Sequence, residues 1–339
     1  MTVEPAPPVA RAFLLAAGRG LRFRPVTERI PKPLLEYLNV PLARAHLRRL
    51  RDAGILEAAV NLHHLGEQIE ENLVHGAAEL PQLRFFAEPE ILGTAGALRN
   101  AGSWLSGGEF LVVNSDAAID PDYARLLRRH RESGRAATLL VVENLEPDRY
   151  TPLQSEGDRV TAFGSATGRP LDRAPWLYTG VCVLAPRLLD RIPPGEASLV
   201  SDLWEPLLAE GREEIGWLLH EGSFADLGRP RDFLRASLEA LARGGPFPAG
   251  AGRFDEKARV LSAREISGFD VRDSVIAGAA VGDGARIASS ALWGGVEVGA
   301  RADLRGCIAA RGRIEPDARF DDSLLWSPDG GTVRAYPLG

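Results

Sequence analysis

The stretch FLLAAGRGLRFRPVTERIPKPLL, residues 13–35, decides the fold of this chain. Its first five residues are apolar and uncharged, as in a short buried strand. Gly18 and Gly20 follow, and glycine lets the backbone turn sharply and bring its N–H groups close to an anion. Arg22 comes next, and Lys32 stands between two prolines of fixed φ, which should stiffen its position. A strand, a glycine turn and fixed cations together predict a phosphate-binding loop.

Neither of the two common phosphate-binding motifs fits this loop. A P-loop would place Lys and then Ser or Thr directly after the last glycine, where Leu21 and Arg22 stand here. The dinucleotide-binding fingerprint needs a third glycine, and Phe23 fills its place. Of the 40 lysines and arginines, only Lys32 and Lys257 are lysines. A chain that uses arginine almost everywhere therefore has, in this loop, the compact rotatable ammonium that differs from arginine's planar fork.

The loop resembles the signature of the sugar-1-phosphate nucleotidylyltransferases, roughly G-x-G-T-R-x-x-P-x-T followed by P-K-P. The two halves are residues 18–27 and 31–33, at the family's spacing, with Leu21 in place of the usual threonine. The resemblance implies transfer of a nucleotidyl group from an NTP to a sugar 1-phosphate, with release of pyrophosphate. It implies that Arg22 holds the departing phosphates and that Lys32 stabilises charge on the transferred phosphoryl group. The expected nucleotide-binding residues of this part are Leu15, Ala16, Ala17, Gly18, Arg19 and Gly20.

Composition predicts an ordinary globular, acidic protein. With 339 residues, 45% of them hydrophobic and 25% charged, the chain is long enough for two domains. A net charge of −6 favours neither nucleic acid nor a membrane surface as a partner. No apolar run approaches the roughly 20 residues of a membrane-spanning helix, and no signal peptide is recognised. Cys182 and Cys307 are expected to be buried free thiols, so the chain is predicted to be cytoplasmic, and no Cys/His cluster indicates zinc.

Helical and strand patterns alternate after the loop. Helices are predicted over residues 41–54 and 66–76, and strands over 55–62 and 83–86. This alternation predicts an α/β fold with a Rossmann-like, mostly parallel sheet and helices on both faces. The catalytic domain is predicted to span residues 1–243.

A second match to the family lies at residues 88–98, EPEILGTAGAL. Gly93 and Thr94 belong to a turn of small residues that could admit a base or ribose, and Glu88 or Glu90 would supply a carboxylate acceptor. Guanine offers two adjacent donors to a carboxylate, whereas uracil and thymine offer one imide N–H on that edge. The pattern therefore favours GTP, with UTP or dTTP as the alternative. Within the family, the chain most resembles the mannose-1-phosphate guanylyltransferase-like members. A helix N-terminus, which favours acidic residues, would explain the glutamates but not the glycines.

Two aspartates match the family's metal ligands. Asn114, Ser115 and Asp116 end an apolar strand, where sheets of this kind bind ligands. The family has N-G-D or a similar triplet there, and its aspartate holds Mg²⁺. Asp226 matches the second ligand, in a segment that resembles W-x-D-x-G-T-P. The resemblance thus implies Mg²⁺ as the cofactor, held by Asp116 and Asp226, although a strand-end turn or a helix cap would also explain an isolated aspartate.

The sugar-phosphate side departs further from the family. Where the family has E-K-P, this chain has Gly168-Arg169-Pro170, and arginine can bind phosphate bidentately. The sugar stays open among mannose, glucose, a heptose and an amino sugar. The residues expected to bind the sugar phosphate are Asn114, Arg169, Tyr178, Thr179 and Gly180.

The last part of the chain has a different, repetitive character. A Gly- and Pro-rich stretch is predicted to be a linker over residues 244–262, followed by repeats over 263–339. Segments beginning at Val281, Val298 and Ile314 align with one another. Short apolar repeats every six or so residues predict a short left-handed β-helix. It would serve contacts in a homo-oligomer, regulation, or simply as a structural cap.

Two other functions are alternatives to the predicted nucleotidyl transfer. A catalytically silent paralogue that binds nucleotide sugars would explain the departures from the family pattern, but not the retention of both cations and both aspartates. A hexapeptide acyltransferase is disfavoured, because the repeats contain no evident catalytic histidine.

Overall fold

The structure is a computed structural model that describes residues 11–164, 176–211, 215–263 and 270–339. The chain divides into two compact units, both discontinuous in sequence. Unit 1 consists of Met1–Gly18 and His46–Phe224, and unit 2 of Arg19–Ala45 and Ala225–Gly339. Because each unit combines separate segments of the chain, this division does not test the boundaries predicted at residues 243 and 262, which stay a prediction.

The first two thirds of the chain contain most of the helices. The strands are β1 (Arg11–Leu15), β2 (Glu36–Tyr37), β3 (Val40–Pro41), β4 (Glu57–Leu62), β5 (Gln82–Ala87), β6 (Phe110–Asn114), β7 (Ala117–Ile119), β8 (Ala137–Glu143), β9 (Leu153–Glu156), β10 (Arg159–Phe163), β11 (Trp176–Leu184), β12 (Ile215–Leu219) and β13 (Phe224–Asp226). The α-helices are α1 (Leu42–Asp52), α2 (Gly66–Val74), α3 (Gly93–Asn100), α4 (Gly102–Leu105), α5 (Tyr123–Ser133), α6 (Glu205–Glu210) and α7 (Pro230–Arg243).

Unit 1 is built on one sheet with the order β5-β4-β1-β6-β11-β8-β12-β10-β9. The strands from β5 to β6 are parallel to one another, and β12 is parallel to β8. β11 is antiparallel to both of its neighbours, as is β10. The α/β class is confirmed, and the sheet is mixed: seven of its nine strands run in one direction, while β10 and β11 run in the other. Antiparallel neighbours need no crossover helix, and the described residues between β8 and β11 contain none.

The centre of this sheet is apolar along the whole of each strand. Phe13 of β1, Val112 of β6 and Leu139 of β8 are fully buried in one cluster with Leu98 of α3. Near-continuous apolar runs are typical of strands that are covered on both faces. The rigid core therefore fixes the ends of β1, β4 and β6, where predicted site residues lie.

The C-terminal part of unit 2 consists of short strands. They are β14 (Arg253–Asp255), β15 (Val260–Ser262), β16 (Asp270–Arg272), β17 (Ser274–Ile276), β18 (Ala280–Val281), β19 (Arg286–Ala288), β20 (Ala291–Leu292), β21 (Val296–Val298), β22 (Asp303–Arg305), β23 (Ile308–Ile314), β24 (Arg319–Asp321), β25 (Ser323–Trp326) and β26 (Arg334–Pro337). Two of them, β14 and β15, lie within the stretch predicted to be a linker.

The predicted repeats stack in register. Val275, Ala291, Ile308 and Leu324 are successive partners in the parallel strands β17, β20, β23 and β25. A second parallel row has the order β16-β19-β22-β24. Parallel stacking of the repeats is therefore present, and the left-handed β-helix stays a prediction. In the described segments, no helix has the length and apolar character that crossing a lipid bilayer requires.

Candidate functional site

The ends of β1 and β6 are joined beside Asp116. Leu15 is the register partner of Asn114. The backbone N–H and the hydroxyl of Ser115 both donate to the carbonyl of Leu15, at 3.2 and 2.6 Å. Ser115 is buried, so the serine that replaces the family's glycine ties the two strand ends together. The half-buried Asp116 follows this junction directly.

Glu88 lies in a buried hydrogen-bond chain. The backbone N–H of Ala16 donates to Oδ1 of Asn61 at 2.7 Å, and Nδ2 of Asn61 donates to Oε1 of Glu88 at 2.8 Å. Oε2 of Glu88 accepts from the N–H of Leu92 at 3.0 Å, and Glu88 is 3% exposed. Both carboxylate oxygens thus already accept hydrogen bonds from the protein, and a direct contact with a base stays a prediction.

The small residues at the start of α3 have close neighbours within unit 1. Gly93 has a φ of +70°, and a Cβ there would overlap the carbonyl oxygen of Ala197. The N–H of Ala95 donates to that same oxygen at 2.8 Å, and Oγ1 of Thr94 accepts from the N–H of Leu199 at 2.8 Å. This packing gives Gly93 and Thr94 a structural role. Their predicted part in nucleotide binding stays a prediction.

Asn114 and Gly180, both predicted to bind the sugar phosphate, are brought together. The pairing of β11 with β8 shifts register between Tyr178 and Cys182, which is the signature of a β-bulge. Gly180 has a φ of +82°, and a Cβ there would overlap the side-chain amide of Asn114. Thr179 donates its hydroxyl to the carbonyl of Leu140 at 2.9 Å.

Tyr178 and Arg169 complete that predicted set. The hydroxyl of Tyr178 donates to Sγ of Cys182 at 3.1 Å, within the same strand. Arg169 lies outside the described residues.

The two halves of the signature meet in unit 2. Gly20 has a φ of +60°, and a Cβ there would come within 2.9 Å of the Thr27 methyl and 3.2 Å of Cβ of Lys32. The Thr27 hydroxyl donates to the carbonyl of Gly20 at 2.8 Å. Lys32 begins a 3₁₀ turn, Lys32–Leu34, and is 7% exposed. The glycine turn and the lysine therefore form one compact structure; we call residues 19–37 the signature loop.

Arg22 and Asp226 also lie together in unit 2. Nη1 of Arg22 is 3.9 Å from Oδ2 of Asp226, and their side chains are 53% and 18% exposed. Oδ1 of Asp226 accepts from the N–H of Gly228 at 2.8 Å. An exposed ion pair of this kind contributes little stability, on the order of 0–1 kcal/mol. The guanidinium therefore lies near the carboxylate, and separating the two groups costs little free energy.

His46 and Asn61 are positioning residues that the sequence reasoning missed. Nε2 of His46 donates to the carbonyl of Ala117, next to Asp116, at 2.9 Å. Burial lowers the pKa of His46 to about 4. His46 lies four residues from both Leu42 and Leu50, on the apolar face of α1, and Asn61 interrupts the apolar run of β4; a polar residue at such a position is the signal that could have identified them.

Comparison with known proteins identifies the family of the chain. A family model described as Nucleotidyl transferase matches residues 11–243. The mannose-1-phosphate guanylyltransferase of Mycobacterium tuberculosis is 30% identical over 88% of this chain and 83% of its own length. The catalytic subunit beta of mannose-1-phosphate guanylyltransferase from Drosophila pseudoobscura pseudoobscura is 34% identical over 66% of this chain, which spans 60% of that protein. The chain belongs to the nucleotidyl transferase family, and the predicted resemblance to sugar-1-phosphate nucleotidylyltransferases is confirmed.

Solved structures support the fold alone. HddC from Yersinia pseudotuberculosis, complexed with GMP-PN, matches with a TM-score of 0.58 at 22% identity, over 68% of this chain and 99% of that one. A putative glucose-1-phosphate thymidylyltransferase from Bacillus anthracis matches with a TM-score of 0.61 at 19% identity, over 70% of this chain and 97% of that one.

Proposed function

We propose that the protein transfers a guanylyl group from GTP to a sugar 1-phosphate, with mannose 1-phosphate as the first candidate, and releases pyrophosphate. One observation carries the proposal: the signature loop holds Lys32 against the glycine turn, in the same unit that places Arg22 beside Asp226. The names of the relatives support the choice of GTP and mannose 1-phosphate.

The reaction suits residues that bind and orient phosphates. A phosphate oxygen of the sugar 1-phosphate forms a bond to the α-phosphorus, and the bond from that phosphorus to the β-bridging oxygen breaks. The nucleophile is already an anion, so no strong general base is required. The protein must instead neutralise and align anions that repel one another. Arg22 would bind the departing β- and γ-phosphates, and Lys32 would stabilise charge on the α-phosphoryl group.

Mg²⁺ is the proposed cofactor, with Asp116 and Asp226 as its protein ligands. The described residues contain no group of three or more His, Cys, Asp or Glu side chains that could hold a metal. Asp116 and Asp226 are partly buried carboxylates, and Mg²⁺ is usually bound by one or two carboxylates together with substrate phosphates and water. When bound, the ion would supply Lewis-acid stabilisation of phosphate charge.

Base selection is proposed to involve the segment that Glu88 orders. Glu88 links Asn61 to the backbone of Leu92, at the entrance to α3. The buried chain would keep residues 88–94 in one conformation against the base. UTP or dTTP remains the alternative nucleotide.

The C-terminal strands are proposed to form a short left-handed β-helix. Their in-register parallel rows and the shared core that includes Ile287, Leu304 and Leu325 support this proposal. Contacts between copies of the chain through these strands are a further proposal, which light scattering of the purified protein tests. The two buried free cysteines suit the proposed cytoplasmic location.

Pyrophosphate release from the purified protein tests the proposed function. Four NTPs are combined with a panel of sugar 1-phosphates in the presence of Mg²⁺. We expect the fastest release with GTP and mannose 1-phosphate. Release with UTP or dTTP would retain the mechanism but overturn the base. No release from any pair, with nucleotide sugars still bound, would favour the catalytically silent paralogue.

A further inference from the structure

The residue next to Arg22 is packed against the C-terminal strands of unit 2. Phe23 is fully buried, and its ring lies 6.2 Å from that of Trp293 with an angle of 24° between the two planes. Trp293 directly follows β20, inside the parallel repeats, and is 3% exposed. The arginine proposed to bind phosphate is therefore covalently next to a residue that the repeats hold in place.

Two more rings complete this cluster. Phe233 of α7 lies 5.6 Å from Phe23 and 5.5 Å from Trp293, edge-on to both. Tyr37, at the far end of the signature loop, lies 5.6 Å from Phe233, also edge-on. Aromatic pairs of this geometry stabilise a structure beyond the effect of their buried area. The cluster thus connects both ends of the loop to one set of side chains.

A hydrogen bond provides a second anchor at the Lys32 end. Oε2 of Glu36 accepts from the backbone N–H of Gly294 at 3.1 Å. Glu36 begins β2, shortly after the 3₁₀ turn that contains Lys32. Trp293 and Gly294 are adjacent, so one dipeptide contacts the loop on both sides, near Arg22 and near Lys32.

The backbone hydrogen bonds inside the loop are local. The N–H of Phe23 donates to Gly20 and the N–H of Leu34 to Pro31, each three residues away. Such short turns hold their own shape but do not fix where the loop lies. Contacts from outside the loop must do that.

We infer that Trp293 and Gly294 are positioning residues for the signature loop, and through it for Arg22 and Lys32. The C-terminal strands would then contribute to phosphoryl chemistry and not serve only as a cap or an oligomer contact. A displacement of a catalytic group by about 1 Å can reduce a rate about 100-fold, so an anchor of this kind matters for turnover. The inference rests on the proposed function only for its activity measurement.

A pair of matched tryptophan substitutions tests the inference on the full chain. Trp293→Leu removes the ring that contacts Phe23, and Trp326→Leu removes an equally buried ring from β25 in the same sheet. Hydrogen exchange of amides in residues 20–37 and kcat for pyrophosphate release are measured below the unfolding temperature of each variant. We expect Trp293→Leu to speed exchange in the loop and lower kcat about tenfold. Trp326→Leu should change neither.

The outcomes separate this inference from the proposed function. Equal exchange in the two variants, or unchanged exchange with Trp293→Leu, would overturn the positioning role. If the wild-type protein releases no pyrophosphate, the proposed function fails, but the exchange comparison still decides the inference because it needs no substrate.

Substitutions at Glu36 give a second test that does not disturb the core. Glu36→Gln keeps an oxygen that can accept from Gly294, and Glu36→Ala removes it. We expect loop protection and kcat to fall in Glu36→Ala and to be largely retained in Glu36→Gln. Wild-type behaviour of Glu36→Ala would show that the Gly294 contact does not position the loop.

Discussion

At position 228, any residue other than glycine would place its Cβ in the space that the guanidinium of Arg22 occupies. A Cβ on Gly228 would lie 2.7 Å from Cζ of Arg22. The N–H of the same glycine donates to Asp226, so one backbone position supports both a proposed phosphate ligand and a proposed metal ligand. At the scale of single residues, this glycine is needed for a neighbouring side chain and not for a turn.

Gly228→Ala should therefore reduce activity without reducing stability. The clashing atoms belong to the end of a flexible, half-exposed arginine, which can move away cheaply. The free energy of unfolding should change by less than about 0.5 kcal/mol. Pyrophosphate release should fall towards the level of Arg22→Ala, the matched comparison. Wild-type kcat/KM in Gly228→Ala would show that turnover does not require the position that Arg22 occupies beside this glycine.

Asp116→Ala should abolish turnover while binding of the nucleotide without metal survives. The reason is the proposed loss of a Mg²⁺ ligand, without change to the backbone that cradles the nucleotide. Isothermal titration with and without Mg²⁺, together with pyrophosphate release, measures both properties. Asp120→Asn is the control, because that exposed carboxylate pairs with Arg49 at 2.9 Å. Activity near the wild-type level in Asp116→Ala at saturating Mg²⁺ would rule out the metal role.

His130 should make the protein less stable in acid. Burial lowers the pKa of His130 below its ordinary value of 6.5. The unfolded chain therefore binds a proton more readily, so this contribution to stability is complete above pH 6.5 and is lost as pH falls through the folded pKa. Denaturant unfolding between pH 7 and pH 4 should show a shallower decline in His130→Gln. An identical pH dependence in both proteins would count against the neutral, buried histidine.

At the scale of elements, helix α3 shows that a motif can be recognised in the sequence although the contact that explains its small residues cannot. The run of small residues at 93–96 was identifiable from sequence, but the segment that packs against it lies about 100 residues further along the chain. No local pattern encodes that contact. The small residues that resembled a ligand-binding turn also allow close backbone packing between α3 and residues 195–199.

Gly93→Ala should destabilise the protein much more than Gly54→Ala. Both glycines have a positive φ, +70° and +84°, but only the Cβ at position 93 meets rigid backbone, whereas that at 54 meets open space. Left-handed strain alone should cost Gly54→Ala about 1–2 kcal/mol. Gly93→Ala adds a clash with Ala197 and should cost roughly 3 kcal/mol or more. Similar unfolding midpoints in urea would contradict this explanation of Gly93.

The strands illustrate how far sequence patterns reach. Apolar runs located β1, β4 and β6, because a buried strand carries its signal within itself. The antiparallel placement of β11 and its bulge at Gly180 depend on pairing with β8 and β6, which the run of residues 176–184 does not encode. The site follows the same rule. The spacing of Gly20 and Lys32 was informative, whereas the contacts of Asn61 and His46 depend on distant partners.

At the scale of the whole molecule, the family match and the compact units end at different places. The family model stops at residue 243, yet unit 2, which contains the signature loop, continues to Gly339. A chain that ends at Arg243 would keep every residue proposed to be catalytic but would lose Trp293 and Gly294. We expect it to bind an apolar dye strongly and to release no pyrophosphate. Full activity of this shortened chain would show that the loop needs no support from the repeats.

The contact between Phe23 and Trp293 also concerns the order in which the protein is made. The ribosome completes the signature loop long before it adds the tryptophan on which that loop packs. Joining the two closes a loop of 270 residues, which costs only a few kcal/mol of entropy but favours slow, late assembly. An unfinished chain would therefore hold the arginine proposed to bind phosphate in an unanchored loop, and turnover would begin only once translation had passed the repeats.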